Sequence, residues 1–479
     1  MTIKKQAISG VKWTTVSTIT LALSALLKIS ILARFLDASD FGLMALVTFV
    51  LGFMDLFMDM GITSAILHKQ NITKKEYASL YWLNIGFSLV LFVLIIVLSP
   101  LVASFYNELE LVRLIPLSGV IILFSAIGRQ YKTIFQKELL FKTMAIVDIA
   151  SVIVSLISAI SFAFYGFGVY ALVYAALIQY GLNNSAYFIL GIRKNPVLFH
   201  YNYSETKPFL KIGVYQVGGQ VINFINRDLD VLIIGKFFGA DILGGYSLAK
   251  QLVKRPLSVI NPIVNRLATS ILPRYQTNNS LLLEYFNKLI KSLSIINAFV
   301  YGAVAVLAPL VVSFLYGNGY EDIIPLVRLF TIMVYFRSVS SLVGILSITK
   351  GRTDLEFYWN IITAVVMPLV IFIGISEGTE IIVLLMAIAQ MFLVLPMWYM
   401  FYFKQIKMPL LELVRNIFVP FFITSIIYVL YSITAIDSII FQVFVSGVLF
   451  MVLMIYLIKT DKEVLSYIKS NKYVKNYIK

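Results

Sequence analysis

Long apolar runs constrain this chain more than any other feature of its sequence. Four of them cover Ile85–Val102, Ile146–Phe164, Ile381–Trp398 and Ile439–Ile458. A helix rises about 1.5 Å per residue, so about twenty apolar residues cross the hydrocarbon core of a bilayer. Hydrophobic residues make up 60% of the chain and charged residues 13%, whereas soluble domains carry about 25% charged residues. We therefore predict an all-α integral membrane protein whose surplus apolar surface faces lipid.

The runs place about fourteen transmembrane helices along the chain, which are called spans 1 to 14 here. Their predicted bounds are 11–36, 42–67, 79–105, 113–134, 145–165, 168–190, 208–238, 243–272, 289–315, 323–348, 356–376, 380–403, 413–434 and 438–458. Span 1 is too long for the apolar region of a signal peptide, and no small-residue cleavage site precedes the next span. We therefore interpret span 1 as a membrane helix.

Lys and Arg alternate between successive connections of these spans. One side of the membrane receives most of them: Lys4, Lys5, Lys12, Lys69, Lys74, Lys75, Arg129, Lys132, Lys137, Lys142, Arg193, Lys194, Lys207, Lys211, Lys350, Arg352, Lys404, Lys407 and a basic tail over 461–479. The other side holds little more than Arg34, Arg113, Lys236 and Arg328. The positive-inside rule therefore predicts a multi-pass protein of the bacterial cytoplasmic (inner) membrane with both termini in the cytoplasm. The asymmetry accounts for the net charge of +15, so we expect no nucleic-acid partner.

The second half of the chain repeats parts of the first half in the same order. The matching segments are RFLDA (34–38) with KFFGA (236–240), Gly42 with Gly244, SAIL (64–67) with TSIL (269–272), LSPLVASF (98–105) with LAPLVVSF (307–314), and LVRL at both 111–114 and 326–329. Six spans separate the copies, so both copies have the same orientation, which is typical of transporters with a central site between two lobes.

We predict two pseudosymmetric six-helix lobes plus two extra C-terminal helices. The N-lobe covers residues 1–195 with spans 1–6, and the C-lobe covers residues 196–405 with spans 7–12. Spans 13 and 14 occupy residues 406–460, and a basic cytoplasmic tail occupies residues 461–479.

Polar residues recur at steps of three and four along spans 1, 2, 7 and 8, which places each set on one helix face. A charge at bilayer depth is costly, so it normally faces a wet cavity or a partner. We predict a cationic vestibule that binds a phosphate or pyrophosphate headgroup, formed by Lys28, Arg227, Lys250, Lys254, Arg255 and Arg337. The alternative is structural: Lys28 would extend to the membrane surface and Arg227 would pair with Asp230. Further polar residues predicted to line the cavity are Gln216, Gln220, Asn223, Asn261 and Asn265.

Acidic residues on two of these helices are candidates for coupling transport to Na⁺ or H⁺. Asp55 and Asp59 lie one turn apart on span 2, where neighbouring carboxylates perturb each other's ionisation. A second candidate set is Asp228 and Asp230 on span 7 with Asn360 on span 11. The alternative for these carboxylates is pairing with cations on other helices. The sequence contains no nucleotide-binding loop, zinc motif or cysteine, so we expect no cofactor other than such an ion.

Several segments resemble the polysaccharide-repeat flippases of the multidrug/oligosaccharidyl-lipid/polysaccharide exporter superfamily, the group of O-antigen, colanic-acid and teichuronic-acid exporters. The first outward hairpin carries this likeness in ARFLDASDFGL at 33–43. The likeness continues in DMGI (59–62), SAIL (64–67), SLYWLN (79–84), FQK (135–137), FK (141–142) and GFGVYALV (166–173).

The resemblance implies two six-helix lobes in a V with two extra helices, and transport by alternating access. It also implies a polyprenyl-pyrophosphate-linked oligosaccharide as the partner, moved from the inner to the outer leaflet and consumed by a downstream polysaccharide polymerase. Relatives carry cavity cations on their first, second, seventh and eighth helices, whereas span 2 of this chain offers Asp55 and Asp59 instead. The two-lobed repeat needs no second copy to close a pathway, so a monomer is expected to be functional.

Two other functions remain open on the sequence alone. A cation-coupled multidrug exporter of the same superfamily is the first, although a cationic cavity argues against organic cations as cargo. A membrane-bound polysaccharide polymerase or ligase is the second, but the outward connections are short and leave no room for a catalytic loop. We therefore expect a transporter rather than an enzyme.

Overall fold

The computed structural model describes residues 3–59, 62–69, 71–434, 436 and 438–460, without the side chains at 3–9, 11, 64, 65, 68 and 212–216. Helices and short turns account for all of the regular structure in these residues. The α-helices are α1 (Ile3–Leu32), α2 (Ala38–Asp59), α3 (Ile62–His68), α4 (Lys74–Tyr106), α5 (Leu111–Lys137), α6 (Phe141–Phe164), α7 (Val169–Ile192), α8 (Tyr203–Ile271), α9 (Asn279–Val306), α10 (Ala308–Tyr316), α11 (Ile324–Val339), α12 (Leu342–Lys350), α13 (Thr353–Gly374), α14 (Thr379–Met397), α15 (Lys404–Ile406), α16 (Leu410–Leu413), α17 (Val419–Thr434) and α18 (Ile439–Thr460).

Short 3₁₀ and π segments complete the helical structure. The 3₁₀ turns cover Leu272–Tyr275, Glu321–Ile323 and Ile375–Glu377, and the π segments cover Trp398–Phe403 and Val414–Phe418.

The prediction of an all-α membrane protein is confirmed. Within the described residues, twelve helical segments are long and apolar enough to cross a membrane. Span 6, which corresponds to α7, is not among the twelve, and spans 7 and 8 fall in one segment, Val217–Tyr275. The count of about fourteen therefore stays a prediction.

Gly239 interrupts α8 and divides it into two arms, 203–238 and 240–271. Its φ of 79° and ψ of 177° are not helical, and glycine adopts such a backbone without a Cβ clash. The hydroxyl of Tyr246 on the second arm donates to Asp230 on the first arm at 2.5 Å. Sixteen residues of straight helix would separate these residues by about 24 Å. The hydrogen bond therefore requires the chain to reverse direction near Gly239, as the boundary between spans 7 and 8 predicts.

The described residues form two compact units. Unit 1 comprises residues 1–248 and 314–318, and unit 2 comprises residues 249–313 and 319–479. Helices α1 to α7 and the first arm of α8 therefore lie in unit 1, while α9, α11 to α14, α17 and α18 lie in unit 2. The lobe boundaries at 195 and 405 remain predictions, and the tail over 461–479 lies outside the described residues.

Asp148 ties together three helices of unit 1. From its position on α6 it accepts hydrogen bonds from Asn183 at 2.8 Å and Tyr187 at 3.0 Å on α7. The ammonium of Lys132 on α5 lies 3.3 Å from the same carboxylate. Three donors stabilise the Asp148 carboxylate inside the membrane protein. These bonds link α6 to α5 and α7.

The connection between α7 and α8 (residues 193–202) and the start of α8 are attached to α4. Ser79 donates to Glu205 at 2.6 Å, and His200 contacts the same carboxylate at 3.0 Å. The indole of Trp82 donates to the carbonyl of Leu198 at 2.9 Å. The Ser79 hydrogen bond, followed by that of His200, lowers the pKa of Glu205. This attachment therefore contributes stability above the ordinary pKa of glutamate and loses it as the pH falls through the lowered value.

A buried polar network joins three helices of unit 2. Ser338 on α11 donates to the side-chain oxygen of Asn261 at 2.6 Å and accepts from Asn297 on α9 at 2.7 Å. All three residues are buried. Because unpaired polar groups are expensive at this depth, the network fixes the second arm of α8 against α9 and α11.

The C-terminal helices pack on unit 2. Asn287 on α9 donates to Glu412 and accepts from Asn416 at 3.0 Å. The hydroxyl of Tyr335 on α11 donates to the carbonyl of Ile417 at 2.6 Å. Helices α17 and α18 both contact α9. The described residues from Leu410 to Thr460 are therefore integrated into unit 2.

The start of α2 and the second arm of α8 cross at backbone contact inside unit 1. A Cβ atom on Gly42 would lie 1.8 Å from the carbonyl oxygen of Ala240, and one on Gly244 would lie 1.7 Å from that of Ala38. In each helix the alanine and the glycine are four residues apart, the spacing at which small residues let membrane helices approach closely. Gly42 and Gly244 are counterparts in the sequence repeat, so the contact is reciprocal.

Two hydrogen bonds beside this crossing are also related by the repeat. Arg34 donates to the carbonyl oxygen of Phe314 at 3.4 Å. Its counterpart Lys236 donates to the carbonyl oxygen of Phe105 and lies 4.6 Å from the centre of that ring. We call these two bonds, together with the Gly42–Ala240 and Gly244–Ala38 contacts, the cross-repeat clamp. All of its residues belong to unit 1.

Adding a methyl group at either glycine of the clamp should destabilise the protein. We expect Gly42→Ala and Gly244→Ala each to cost about 1–3 kcal/mol, because the new Cβ must push a backbone carbonyl aside. Gly86→Ala is the matched control, since a Cβ there would meet no atom within 4 Å. Thermal unfolding of the detergent-purified variants measures the difference. Equal stability of all three variants would contradict the close crossing.

Candidate functional site

The six predicted vestibule cations are divided between the two units. Lys28 and Arg227 lie in unit 1, and Lys250, Lys254, Arg255 and Arg337 lie in unit 2. Lys250 is the most deeply buried of the six, with 5% of its surface exposed. Lys28, Lys254, Arg255 and Arg337 are partly exposed, and Arg227 is exposed. The role of these cations in a shared vestibule stays a prediction.

Arg227 contacts the residue next to it in sequence. Its Nε donates to Asp228 at 2.6 Å, and its guanidinium lies 5.4 Å from the centre of the Phe224 ring. Phe224 packs against Phe49 and Phe53 on α2, with ring centres 5.1 and 6.0 Å apart. More than half of the Arg227 side chain is exposed (56%), so the guanidinium is held on an aromatic base and still accessible to an anion.

Asp230 is 3% exposed and accepts the hydrogen bond from Tyr246 described above. Asn360, predicted to join Asp228 and Asp230, lies on α13 in unit 2, whereas both aspartates lie in unit 1. The Asn360 side chain is partly buried, and its carbonyl accepts a hydrogen bond from Thr363 at 3.0 Å. Within unit 1, the geometry of the second coupling candidate therefore rests on Asp230 and its Tyr246 partner.

Asp55 and Asp59 on α2 share a cation that sequence reasoning assigned to a cytoplasmic connection. Arg129 on α5 forms an ion pair with Asp55, and its second nitrogen lies 3.8 Å from Asp59. Thr63 on α3 donates to Asp59. Arg129 lies inside predicted span 4. A charged residue within a span needs a partner, and this signal could have identified Arg129 as a partner of acidic residues on another helix. The arrangement supports the alternative of interhelical pairing for Asp55 and Asp59.

The polar residues predicted to line the cavity have different surroundings. Asn261 belongs to the buried network with Ser338 and Asn297, neither of which was singled out from the sequence. Gln220 and Asn223 are exposed on the first arm of α8, and Asn265 is partly exposed on the second. The side chain of Gln216 lies outside the described residues. Their role in lining a cavity stays a prediction.

The charged side chains described above form ion pairs and hydrogen bonds with neighbouring residues. Among the described residues, no cluster of three or more histidine, aspartate or glutamate side chains could hold a metal ion. Charged side chains buried between membrane helices are typical of transport pathways. The fold and these charges define a multi-pass helical membrane protein that carries charged side chains on its membrane helices.

The chain belongs to the family described as "Polysaccharide biosynthesis protein", whose model matches residues 31–325. It is 28% identical over 431 residues to the teichuronic acid biosynthesis protein TuaB of Bacillus subtilis, covering 88% of each chain. It is 27% identical over 383 residues to the lipopolysaccharide biosynthesis protein WzxC of Escherichia coli, covering 79% of this chain and 77% of the relative.

The fold is similar to that of a solved lipid flippase. The structure titled "Lipid II flippase MurJ, inward closed conformation" matches with a TM-score of 0.75 at 14% identity, over 93% of this chain and 98% of the other. The resemblance predicted from the sequence is confirmed at the level of the polysaccharide biosynthesis family, and the predicted two-lobed helical fold agrees with the similarity to this structure.

Proposed function

We propose that this protein is a flippase that moves polyprenyl-pyrophosphate-linked oligosaccharide repeat units from the inner to the outer leaflet of the bacterial cytoplasmic membrane. The product would be used in surface polysaccharide synthesis by a downstream polymerase. Membership of the polysaccharide biosynthesis family and the lipid-flippase fold support the proposal. We propose that the chain acts as a monomer, transports without chemical conversion, and has its basic connections and both termini in the cytoplasm.

The observation that carries the proposal is the burial of Lys250 on a membrane helix. A lysine with only 5% of its surface exposed is costly within a membrane, so its presence calls for a functional or pairing role. Lys254 lies one turn further along the same arm of α8 and faces the same side. Two lysines in this arrangement suit a pyrophosphate, which carries several negative charges and accepts hydrogen bonds from both ammonium groups. The other cations that the sequence predicts for headgroup binding are Lys28, Arg227, Arg255 and Arg337, and we keep them as candidates.

The cross-repeat clamp supports a mechanism by alternating access. Arg34, Lys236 and the two crossing glycines lie where the charge distribution predicts the outward connections. The clamp lies within unit 1 and consists of two hydrogen bonds and close backbone contacts, so we propose that it can loosen during transport without breaking a covalent bond. Loosening would open the pathway to the outside, and re-formation would reset the transporter.

The two sets of acidic residues differ as candidates for ion coupling. Arg129 forms an ion pair with both Asp55 and Asp59 and compensates part of their charge, which makes a structural role for these residues the better supported one. Asp230 is buried and hydrogen-bonded to a neutral hydroxyl. We propose that a Na⁺ or H⁺ that couples transport acts at the buried carboxylate of Asp230, and that Asp228 and Asn360 are the further residues of this candidate set.

A covalent link across the clamp should stop transport. The chain contains no cysteine, so Arg34→Cys with Phe314→Cys introduces the only thiol pair, and a short bis-methanethiosulfonate reagent can join it. We expect export of surface polymer to fall more than tenfold on cross-linking and to recover on reduction. Lys69→Cys with Glu76→Cys is the control, because that ion pair joins the residue that follows α3 to the first turn of α4 and lies outside the clamp. Undiminished export after complete cross-linking would contradict the opening of the clamp.

Reconstitution tests the proposed function itself. Vesicles containing the purified protein and a polyprenyl-pyrophosphate-linked oligosaccharide are exposed to an impermeant glycosidase, which cleaves only glycans on the outer face. Without flipping, about half of the glycan is protected. We expect this fraction to disappear with the unaltered protein and to remain in protein-free vesicles. Equal protection in both preparations would rule out the proposed activity, and translocation of an organic cation instead would favour the multidrug exporter.

A further inference from the structure

Unit 2 contains a cavity that the proposed transport pathway does not use. Its volume is 590 Å³, and it lies between α9, α11, α14 and α17. Most of its wall is aliphatic or aromatic, and it extends along α11 from Arg328 to Tyr335. Seven residues of helix correspond to about 10 Å of membrane depth. The cavity therefore has the shape and lining that suit part of a hydrocarbon chain.

Polar groups gather at one end of this cavity. Arg328 lies one turn after the start of α11, Glu380 lies in the first turn of α14, and Tyr301 lies close to the end of α9. The guanidinium of Arg328 is 5.8 Å from the centre of the Tyr428 ring on α17, which orients it by a cation–π contact. Charge patterning assigns this end to the outer face of the membrane. An apolar cavity with a charged end matches an amphipathic molecule.

Two polar atoms at this end have no hydrogen-bond partner among the described residues. The hydroxyl of Tyr301 and the Nε of Arg328 are buried, and neither makes a hydrogen bond to another described residue. Tyr301 is only 2% exposed. Leaving a buried donor unsatisfied is costly, so each would gain from a ligand that accepts a hydrogen bond. A phosphate oxygen can accept from both, and it also matches the charge of Arg328.

Glu380 distinguishes between classes of phosphate-bearing lipid. It lines the same cavity as Arg328, and the two residues form no ion pair within 4 Å of each other in the described part of the chain. A purely anionic headgroup would bring its charge towards the Glu380 carboxylate. A headgroup with a phosphate and an ammonium group can satisfy both side chains.

We propose that this cavity binds one zwitterionic phospholipid of the phosphatidylethanolamine type from the surrounding bilayer. Its phosphate binds Arg328 and Tyr301, its ammonium group binds Glu380, and the upper part of one acyl chain fills the cavity. The inference is independent of the proposed function, because the ligand is a component of the membrane rather than the transported lipid.

Native mass spectrometry of the delipidated, full-length protein in detergent tests the assignment. The protein is titrated separately with phosphatidylethanolamine, phosphatidylglycerol and undecaprenyl phosphate. We expect one site that prefers phosphatidylethanolamine. Arg328→Gln should weaken its binding at least tenfold and Tyr301→Phe about threefold to tenfold. Glu380→Gln should remove the preference for phosphatidylethanolamine over phosphatidylglycerol.

Arg113→Gln is the matched control, because Arg113 occupies the repeat position that corresponds to Arg328 but does not line the cavity. It should bind phosphatidylethanolamine like the unaltered protein. Leu384→Trp fills the cavity without removing a charge and should also abolish binding, which decides the question if Arg328→Gln does not fold. Equal binding by Arg328→Gln and Arg113→Gln would overturn the proposal. Tighter binding of phosphatidylglycerol or undecaprenyl phosphate than of phosphatidylethanolamine would also overturn it.

Discussion

Replacing Lys250 and Lys254 together by glutamine should abolish polysaccharide export while the protein still inserts into the membrane. A hydrogen bond to a charged group contributes about 1.5–3 kcal/mol, so losing two such bonds to a pyrophosphate costs about 3–6 kcal/mol. At about 1.4 kcal/mol per factor of ten, the expected decrease in headgroup binding is about 10²- to 10⁴-fold. Surface polymer in a host that depends on this protein measures the outcome.

A second double variant separates this effect from a general loss of positive charge. Lys288→Gln with Lys350→Gln removes the same number of charges from unit 2. These lysines bind Glu284 and the carbonyl of Gln276, respectively, and neither belongs to the proposed headgroup site. We expect this control to export normally. Full export by the Lys250 and Lys254 variant, at equal protein level, would exclude these residues from the headgroup site.

Arg129→Gln should destabilise the protein, because it leaves two carboxylates on α2 without their shared cation. Removing one partner of a buried ion pair costs about 3–5 kcal/mol, and an exposed pair contributes less than about 1 kcal/mol. Asp59 is mostly buried and Asp55 is half exposed (18% and 53%). We therefore expect a loss of about 2–4 kcal/mol, measured by thermal or denaturant unfolding in detergent.

Removing the orphaned charges should restore much of this stability. The triple variant Arg129→Gln, Asp55→Asn, Asp59→Asn contains no uncompensated charge, so it should be more stable than Arg129→Gln alone. Lys69→Gln breaks the ion pair with Glu76, whose lysine is 43% exposed, and should cost less than about 1 kcal/mol. If Arg129→Gln is no more destabilised than Lys69→Gln, the three charges do not act as a structural unit.

The same residues distinguish the two candidates for ion coupling. If Asp55 serves only to pair with Arg129, Asp55→Asn leaves the ion dependence of transport unchanged, whereas Asp230→Asn removes it. The reverse pattern would assign coupling to α2. A comparison of transport with and without a Na⁺ or H⁺ gradient in the two variants decides between them.

The membrane fold could be predicted because its main signals are local. Runs of about twenty apolar residues specify helices whatever they pack against, and Gly239 marks the reversal between spans 7 and 8. The sequence repeat also paired Gly42 with Gly244. In the structure Gly42 contacts Ala240 and Gly244 contacts Ala38, so both glycines lie at the same helix crossing. Such pairs are visible in one sequence because the two halves resemble each other.

Most side-chain partnerships could not be predicted, because they join residues far apart in the chain that follow no repeat. Arg129 was assigned to a cytoplasmic connection, and only the packing of α5 against α2 brings it to Asp55 and Asp59. Ser338 carried no signal of its own on an apolar helix, although it holds Asn261 and Asn297. Periodicity identifies the face that a residue occupies, but not the helix that covers that face.

Depletion of this protein in its native host tests the central claim most directly. Lipid-linked saccharides are extracted after depletion and identified by mass spectrometry, and their leaflet is assigned with an impermeant glycan-modifying reagent. The flippase proposal predicts that a completed repeat unit accumulates on the cytoplasmic leaflet while surface polymer is lost. A normal lipid-linked pool together with normal surface polymer would contradict it.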